Sequence, residues 1–168
     1  MIKIMEIVNT NFKETLEVDE HVPFNIEWNY ISNRNLKYYW RTGDFKKSLL
    51  EIGLDSVTGL IKSMTLTNLN INSISEDNLP TNFSKLGVPK FDLTQWTSEK
   101  YLDYTKDFSV LLMNNGLVIS MLDERVERIV KSDRVLFHMG KDKKLLRIDL
   151  INLTTDERHI LRNSLRSY

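Results

Sequence analysis

Two alternating apolar runs around a five-residue loop, "SLLEIGLDSVTGLIKSMTL" from Ser48 to Leu66, most constrain what this chain can fold into. Leu50, Ile52 and Leu54 alternate with Glu51 and Gly53, and Met64 and Leu66 share one face of the second run. Alternation with period two puts apolar side chains on one face of a β-strand. Between the runs lies Asp55-Ser56-Val57-Thr58-Gly59. Asp bonds the backbone two residues on and Gly supplies a positive φ at the exit, so the loop closes an antiparallel hairpin. As chemistry the same residues fall short. A calcium loop needs more oxygen ligands and a closing bidentate Glu, and none follows here. Ser56 lacks the Gly-x-Ser-x-Gly elbow of a hydrolase nucleophile.

Further hairpins follow the same logic. "SVLLMNNGLVISML" turns at Asn114-Asn115-Gly116, and Asn-Gly is the strongest short hairpin signal. "RVLFHMGKDKKLLRIDLINL" turns at Gly140–Lys143. Ile2–Val8 reads as a first strand, Ile26, Trp28 and Tyr30 share a strand face, and Leu36–Arg41 is aromatic and β-prone. "GLDSVTGLIKSMTLTNL" and "MGKDKKLLRIDLINL" echo each other as turn, strand and Asn-Leu exit, and read as two ordinary hairpins rather than a duplication. Residues 123–130 are open between a short helix and a strand edge. The end, "LTTDERHILRNSLRSY", predicts a helix. Thr154 and Thr155 are caps, Asp156 and Glu157 lie in its first turn, and Arg162 and Arg166 lie near its end, as the helix dipole favours. Leu153, Ile160, Leu161 and Leu165 give its apolar stripe. The chain has no Ala, the best helix former, which argues against a mainly helical protein. The fold class expected is α+β: a mainly antiparallel twisted β-sheet built from hairpins, with a C-terminal α-helix.

A length of 168 residues suits one domain, 1–168. Within it the pattern suggests two parts, 1–67 and 108–168, joined by a long polar connection, 68–107. That connection is rich in Asn and Ser and carries Pro80, Gly87 and Pro89. Residues 92–108, at its end, set Trp96, Tyr101, Tyr104 and Phe108 among acids and lysines. These are either buried anchors of a loop or aromatics of an interface.

The composition narrows the chemistry. With no Cys there is no disulfide and no thiolate nucleophile or ligand. His21, His138 and His159 stand too far apart for a usual zinc spacing. Gly-rich phosphate loops are missing, so neither metal nor cofactor is expected. No run approaches the roughly 18 apolar residues of a membrane helix, and the N-terminus lacks the long apolar run of a secretory signal. The expectation is a cytoplasmic protein with no membrane partner. Basic and acidic residues both number 23, which argues against direct nucleic-acid binding as the main task. The balance is uneven, with 12 basic and 15 acidic residues in 1–107 against 11 and 8 in 108–168. The early acids cluster at Glu14, Glu17, Asp19, Glu20 and Glu27.

Ser48–Asn68 and "DRVLFHMGKDKKLLRIDLINLTTDERHILRNSL" resemble segments of small bacterial proteins encoded beside polymorphic toxins, including those of contact-dependent growth inhibition. Those proteins are immunity proteins. The matching residues are scaffold and bring no functional residue with them. The resemblance implies an intracellular protein that neutralises a cognate protein toxin, such as a basic nuclease domain, without catalysis. The candidate contacts are then Glu17, Asp19, Glu20 and Glu27, with Trp96, Tyr101, Asp103 and Tyr104 as aromatic and acidic anchors. The expected state is a monomer or weak dimer. Two other readings stay open. One is a hydrolase or nuclease with scattered carboxylates, which needs His138 and two carboxylates in one cleft. The other is a structural homo-oligomer built through an exposed sheet edge.

Overall fold

A computed structural model describes residues 1–31, 34–68 and 73–166, and for Asn68, Leu165 and Arg166 the backbone alone. The first part of the chain forms β1 (Ile4–Val8), β2 (Lys13–Val18), β3 (Phe24–Asn29), β4 (Lys37–Gly43), β5 (Leu49–Asp55) and β6 (Ile61–Asn68). The connection forms β7 (Ser73–Ile74), β8 (Lys85–Leu86), β9 (Val88–Phe91) and β10 (Tyr101–Thr105). The last part forms β11 (Ser109–Leu112), β12 (Leu117–Ser120), β13 (Arg128–Lys131), β14 (Val135–Met139), β15 (Leu145–Leu150) and α1 (Thr155–Arg166). The protein is therefore mostly β, in three mainly antiparallel sheets with one C-terminal helix.

A six-stranded sheet runs β10-β4-β5-β6-β3-β2, a seven-stranded sheet runs β7-β11-β12-β15-β14-β13-β8, and β1 pairs with β9. The two large sheets repeat one plan. Taken in chain order, β2 to β6 and β11 to β15 each adopt the order first, second, fifth, fourth, third, with every pairing antiparallel. Each third strand also gains a parallel neighbour from the connection, β10 on β4 and β8 on β13. The two echoing hairpins, β5–β6 and β14–β15, occupy the same place in this plan. The connection is thus not only a polar linker. Its strands extend both sheets, and it buries Leu79, Val88, Phe91 and Trp96.

Local chemistry explains the hairpins. Asp55 Oδ1 accepts the N–H groups of Val57 at 2.9 Å and Thr58 at 2.7 Å. Gly59 exits at φ +78, and a Cβ there would lie 2.4 Å from the Phe91 carbonyl oxygen, so the site needs both the freedom and the absent side chain of glycine. In α1, the Glu157 N–H donates to Thr154 Oγ1 at 3.1 Å, and the Thr154 N–H donates back to Glu157 Oε1 at 3.0 Å, a reciprocal capping box. Leu153 and Leu161 of the expected stripe are buried and Ile160 is half-buried, while the Leu165 and Arg166 side chains lie outside the described residues.

The core lies between the two large sheets. Phe24, Ile26 and Trp28 of β3 point inward and Asn25, Glu27 and Asn29 point out, as alternation requires. Trp28 meets Phe137 of the other sheet with ring centroids 6.1 Å apart. Glu14, across from Trp28 on β2, also points inward. Its carboxylate accepts Trp28 Nε1–H at 2.6 Å, the Ser132 hydroxyl and the Arg134 N–H at 2.7 Å, so it ties the sheets together.

The outer faces differ. On the seven-stranded sheet the connection lays Leu79 among Val118, Leu136 and Ile151. That is why β14 is buried at all five positions: one face looks into the core and the other lies under the connection. On the six-stranded sheet, Glu17, Glu27, Tyr101 and Asp103 of the outer face are exposed, while Gly53 and Ser63 in its middle are buried.

Candidate interaction face

Register places the outward side chains of the six-stranded sheet in two central rows. One row runs Tyr101, Tyr39, Gly53, Ser63, Glu27 and Thr15 across the strands. The next runs Asp103, Arg41, Glu51, Thr65, Asn25 and Glu17. These rows hold four acids, Asp103, Glu51, Glu17 and Glu27, and one base, Arg41. Lys13, Lys37 and Lys100 flank them.

The β4–β10 end of the face is a braced aromatic and charged cluster. Arg41 Nε and Nη2 donate to the two oxygens of Asp103 at 2.7 and 2.9 Å. The same guanidinium lies 4.3 Å from the Tyr101 ring centroid. Tyr101 stacks on Tyr39 at 5.3 Å and 20°, and the Lys100 ammonium sits 5.1 Å from the Tyr39 ring. An exposed ion pair usually contributes about 0–1 kcal/mol, so the cluster matters less for stability than for holding its members in one geometry. Tyr and Arg held in this way suit the anchors of a protein interface, because little side-chain entropy remains to be lost on binding. Tyr101 keeps 44% of its surface exposed.

Electrostatics set the middle of the face apart. Burial pushes the Glu51 carboxyl above its ordinary value, against the pull of Arg41, Lys37 and Lys100. Burial likewise raises the Tyr39 hydroxyl. The hydrogen bond to Asp103 holds the Arg41 proton more tightly than usual.

Of the eight candidate contacts, Glu17, Glu27, Tyr101 and Asp103 come together on this face. Asp19 and Glu20 are exposed in the β2–β3 loop beside it. Asp19 Oδ1 accepts the His21 N–H at 2.7 Å, which lowers its pKa. Trp96 and Tyr104 point elsewhere. Trp96 is buried against Tyr38, with centroids 6.0 Å apart and planes 9° apart. Tyr104 stacks inward on Trp40 at 6.3 Å. Both serve as packing anchors of the connection, the alternative the sequence had left open for them. Glu14, counted with the surface acids on sequence, is an inward carboxylate. Sequence reasoning missed Tyr39, Arg41 and Glu51. Their i, i+2 spacing in the expected strands was a usable signal, but not the face they would share with a segment about 60 residues away.

His138 lies on the outer face of the seven-stranded sheet and is buried. Its Nε2 is 2.9 Å from Asp149 Oδ2. Arg147 Nε and Nη2 donate to both oxygens of the same carboxylate, at 2.6 and 2.8 Å. One carboxylate thus meets His138, already occupied by a guanidinium fork, where the hydrolase reading needs two. Among the described residues no three His, Cys, Asp or Glu side chains gather to hold a metal. A surface groove of about 710 Å³ runs along β1 past Glu6, Lys85, Arg128 and Lys143, and neither His138 nor any of the eight candidates lines it. Among the described residues no helix is long and apolar enough to cross a membrane. No protein-family model matches the chain, and a search of curated proteins finds no match.

Proposed function

We propose that this chain is an immunity protein that binds a cognate bacterial toxin domain inside the cell and neutralises it by occupying its surface. The outer face of the six-stranded sheet is the surface it uses. The observation that carries this reading is the pair of central rows, in which Glu17, Glu27 and Glu51 share one face with a preorganised Tyr39–Arg41–Tyr101–Asp103 cluster. Such a face meets a basic partner with complementary charge and aromatic anchors. The resemblance of the β5–β6 hairpin and of the β14–β15–α1 end to immunity proteins supports the same reading.

The test is association with a basic toxin domain of the proposed class, followed by surface plasmon resonance. The double variant Glu17→Lys/Glu27→Lys reverses two exposed charges that make no contact with the core. It is expected to slow association about tenfold at low salt and to approach wild type at high salt, because steering between exposed charges is screened. Equal association rates for the two proteins at every ionic strength contradict the assignment of this face.

A further inference from the structure

One end of the six-stranded sheet carries three aliphatic side chains that the fold leaves in solvent. Ile31 is 91% exposed, Leu36 82% and Val57 72%. Ile31 and Leu36 belong to the β3–β4 connection and Val57 to the β5–β6 turn, and hydrogen bonds hold the two loops side by side. The Ser56 N–H donates to the Leu36 carbonyl at 2.9 Å. The Asn35 amide donates to both oxygens of Asp55, at 3.2 and 3.1 Å. Tyr30, next to Ile31, donates its hydroxyl to the Ile61 carbonyl at 2.6 Å. The bases of these loops are Arg34, Lys37 and Lys62, and the Lys62 ammonium donates to the Asn35 carbonyl at 2.8 Å. Asp55 is the one acid in residues 30–37 and 55–62. It is fully buried, and its carboxylate is taken by Asn35 and by the Val57 and Thr58 N–H groups. The charges that border the loops offset one another. Lys90 pairs with Glu6 at 3.7 Å, Lys13 stands diagonal to Glu27, Lys3 adjoins Asp92, and Lys100 follows Glu99. Lys37 also lies toward Glu51, so Arg34 and Lys62 carry most of the charge beside the aliphatic tips.

We infer that this end of the sheet docks on an anionic lipid surface, with Ile31, Leu36 and Val57 dipping among the acyl chains and Arg34, Lys37 and Lys62 at the headgroups. Protein interfaces draw their anchors mostly from aromatic and Arg side chains seated in a packed patch. Here the apolar groups are aliphatic tips that project from two turns. A fluid lipid surface takes such tips without a fitted cavity, and its negative charge attracts the bases around them. A second copy of this chain joined through the same end would set Arg34, Lys37 and Lys62 against the same bases. The inference goes beyond the toxin-binding reading and does not rest on it: held by the strand ends, the sheet leaves its outer face open. It departs from the sequence expectation of no membrane partner, which rested on the lack of a spanning run. Docking tips form no such run. Leu36 and Val57 are 21 residues apart and meet only through the β4–β5 hairpin.

Sedimentation of the full chain with vesicles is the test. The wild type is expected to pellet with phosphatidylcholine vesicles containing about one-third phosphatidylserine, and at least about tenfold less with phosphatidylcholine alone. The triple variant Ile31→Ser/Leu36→Ser/Val57→Ser changes only exposed side chains, so its melting temperature should hold. Its partition to the anionic vesicles is expected to fall at least about tenfold. Arg34→Gln keeps the aliphatic tips and is expected to lose about fivefold at low salt, a loss that closes at high salt. A wild type that stays in the supernatant with anionic vesicles overturns the inference, and so does equal partition of the wild type and the triple variant. Should the triple variant melt early, Ile31→Ser alone decides: a loss of about threefold is expected, and equal partition overturns the inference. A free chain that is a dimer by light scattering and becomes a monomer in the triple variant also overturns it, by giving the tips to a second copy.

Discussion

Trp28→Ala is expected to lower the unfolding free energy by about 4 kcal/mol, the usual scale for deleting a fully buried large aromatic. Trp28 is 1% exposed, and its ring spans the two sheets to reach Phe137. The cavity would open where the layers meet, and packing on both sides limits its collapse. The substitution also removes the Nε1–H donor from the buried Glu14 carboxylate. Trp28→Phe keeps most of the ring and loses that donor, so it is expected to cost about 1–2 kcal/mol. Urea denaturation checks both: the midpoint should fall with an unchanged slope. An effect below about 1 kcal/mol for alanine contradicts a core centred between the two sheets.

Glu14→Gln is the second large effect, expected at about 2 kcal/mol near neutral pH. Glutamine fits the volume, but either orientation of its amide turns an NH2 group toward Trp28 and Ser132 or toward the Arg134 N–H. The pH dependence adds a sharper signature. Burial, outweighing three hydrogen bonds, raises the Glu14 pKa above 4.5. A carboxyl whose folded pKa is raised contributes most below its unfolded value and loses that contribution as the pH rises through its folded value. The stability difference between wild type and Glu14→Gln should therefore widen as the pH falls from 7 toward 4.5. Taking the difference cancels acids shifted the other way, such as Asp19 and Glu157. A difference that narrows with acidification contradicts the raised Glu14 pKa and gives the larger weight to its three hydrogen bonds.

The hairpins were legible because turn chemistry is local. Asp55 and Gly59 carry their instructions within five residues, and Asn115-Gly116 and the Thr154–Glu157 box do the same. Those signals sufficed for an α+β chain of antiparallel hairpins closed by a helix. What escaped depends on register between distant segments. Tyr101 and Tyr104 lie three apart, so a strand sends them to opposite faces, but their segment read equally as a helical turn until β10 was seen to pair with β4. Glu14 looked like one more surface acid because its three donors come from Trp28, Ser132 and Arg134, two of them more than a hundred residues away. The repeat was visible only as an echo between two hairpins. Strand order is the property the two halves share, and side-chain pattern does not encode it. The candidate face was half legible: its exposed acids could be read, while the Tyr39–Arg41 half needed a partner strand to define it.

The most direct test of the central claim is amide chemical-shift mapping of this chain, titrated with a basic toxin domain of the kind proposed as its partner. The account predicts that the largest changes at one-to-one stoichiometry fall on the outward residues of β3, β4, β5 and β10, with Glu27, Arg41, Glu51 and Asp103 among them. Changes confined to the seven-stranded sheet and α1, with that face silent, contradict it.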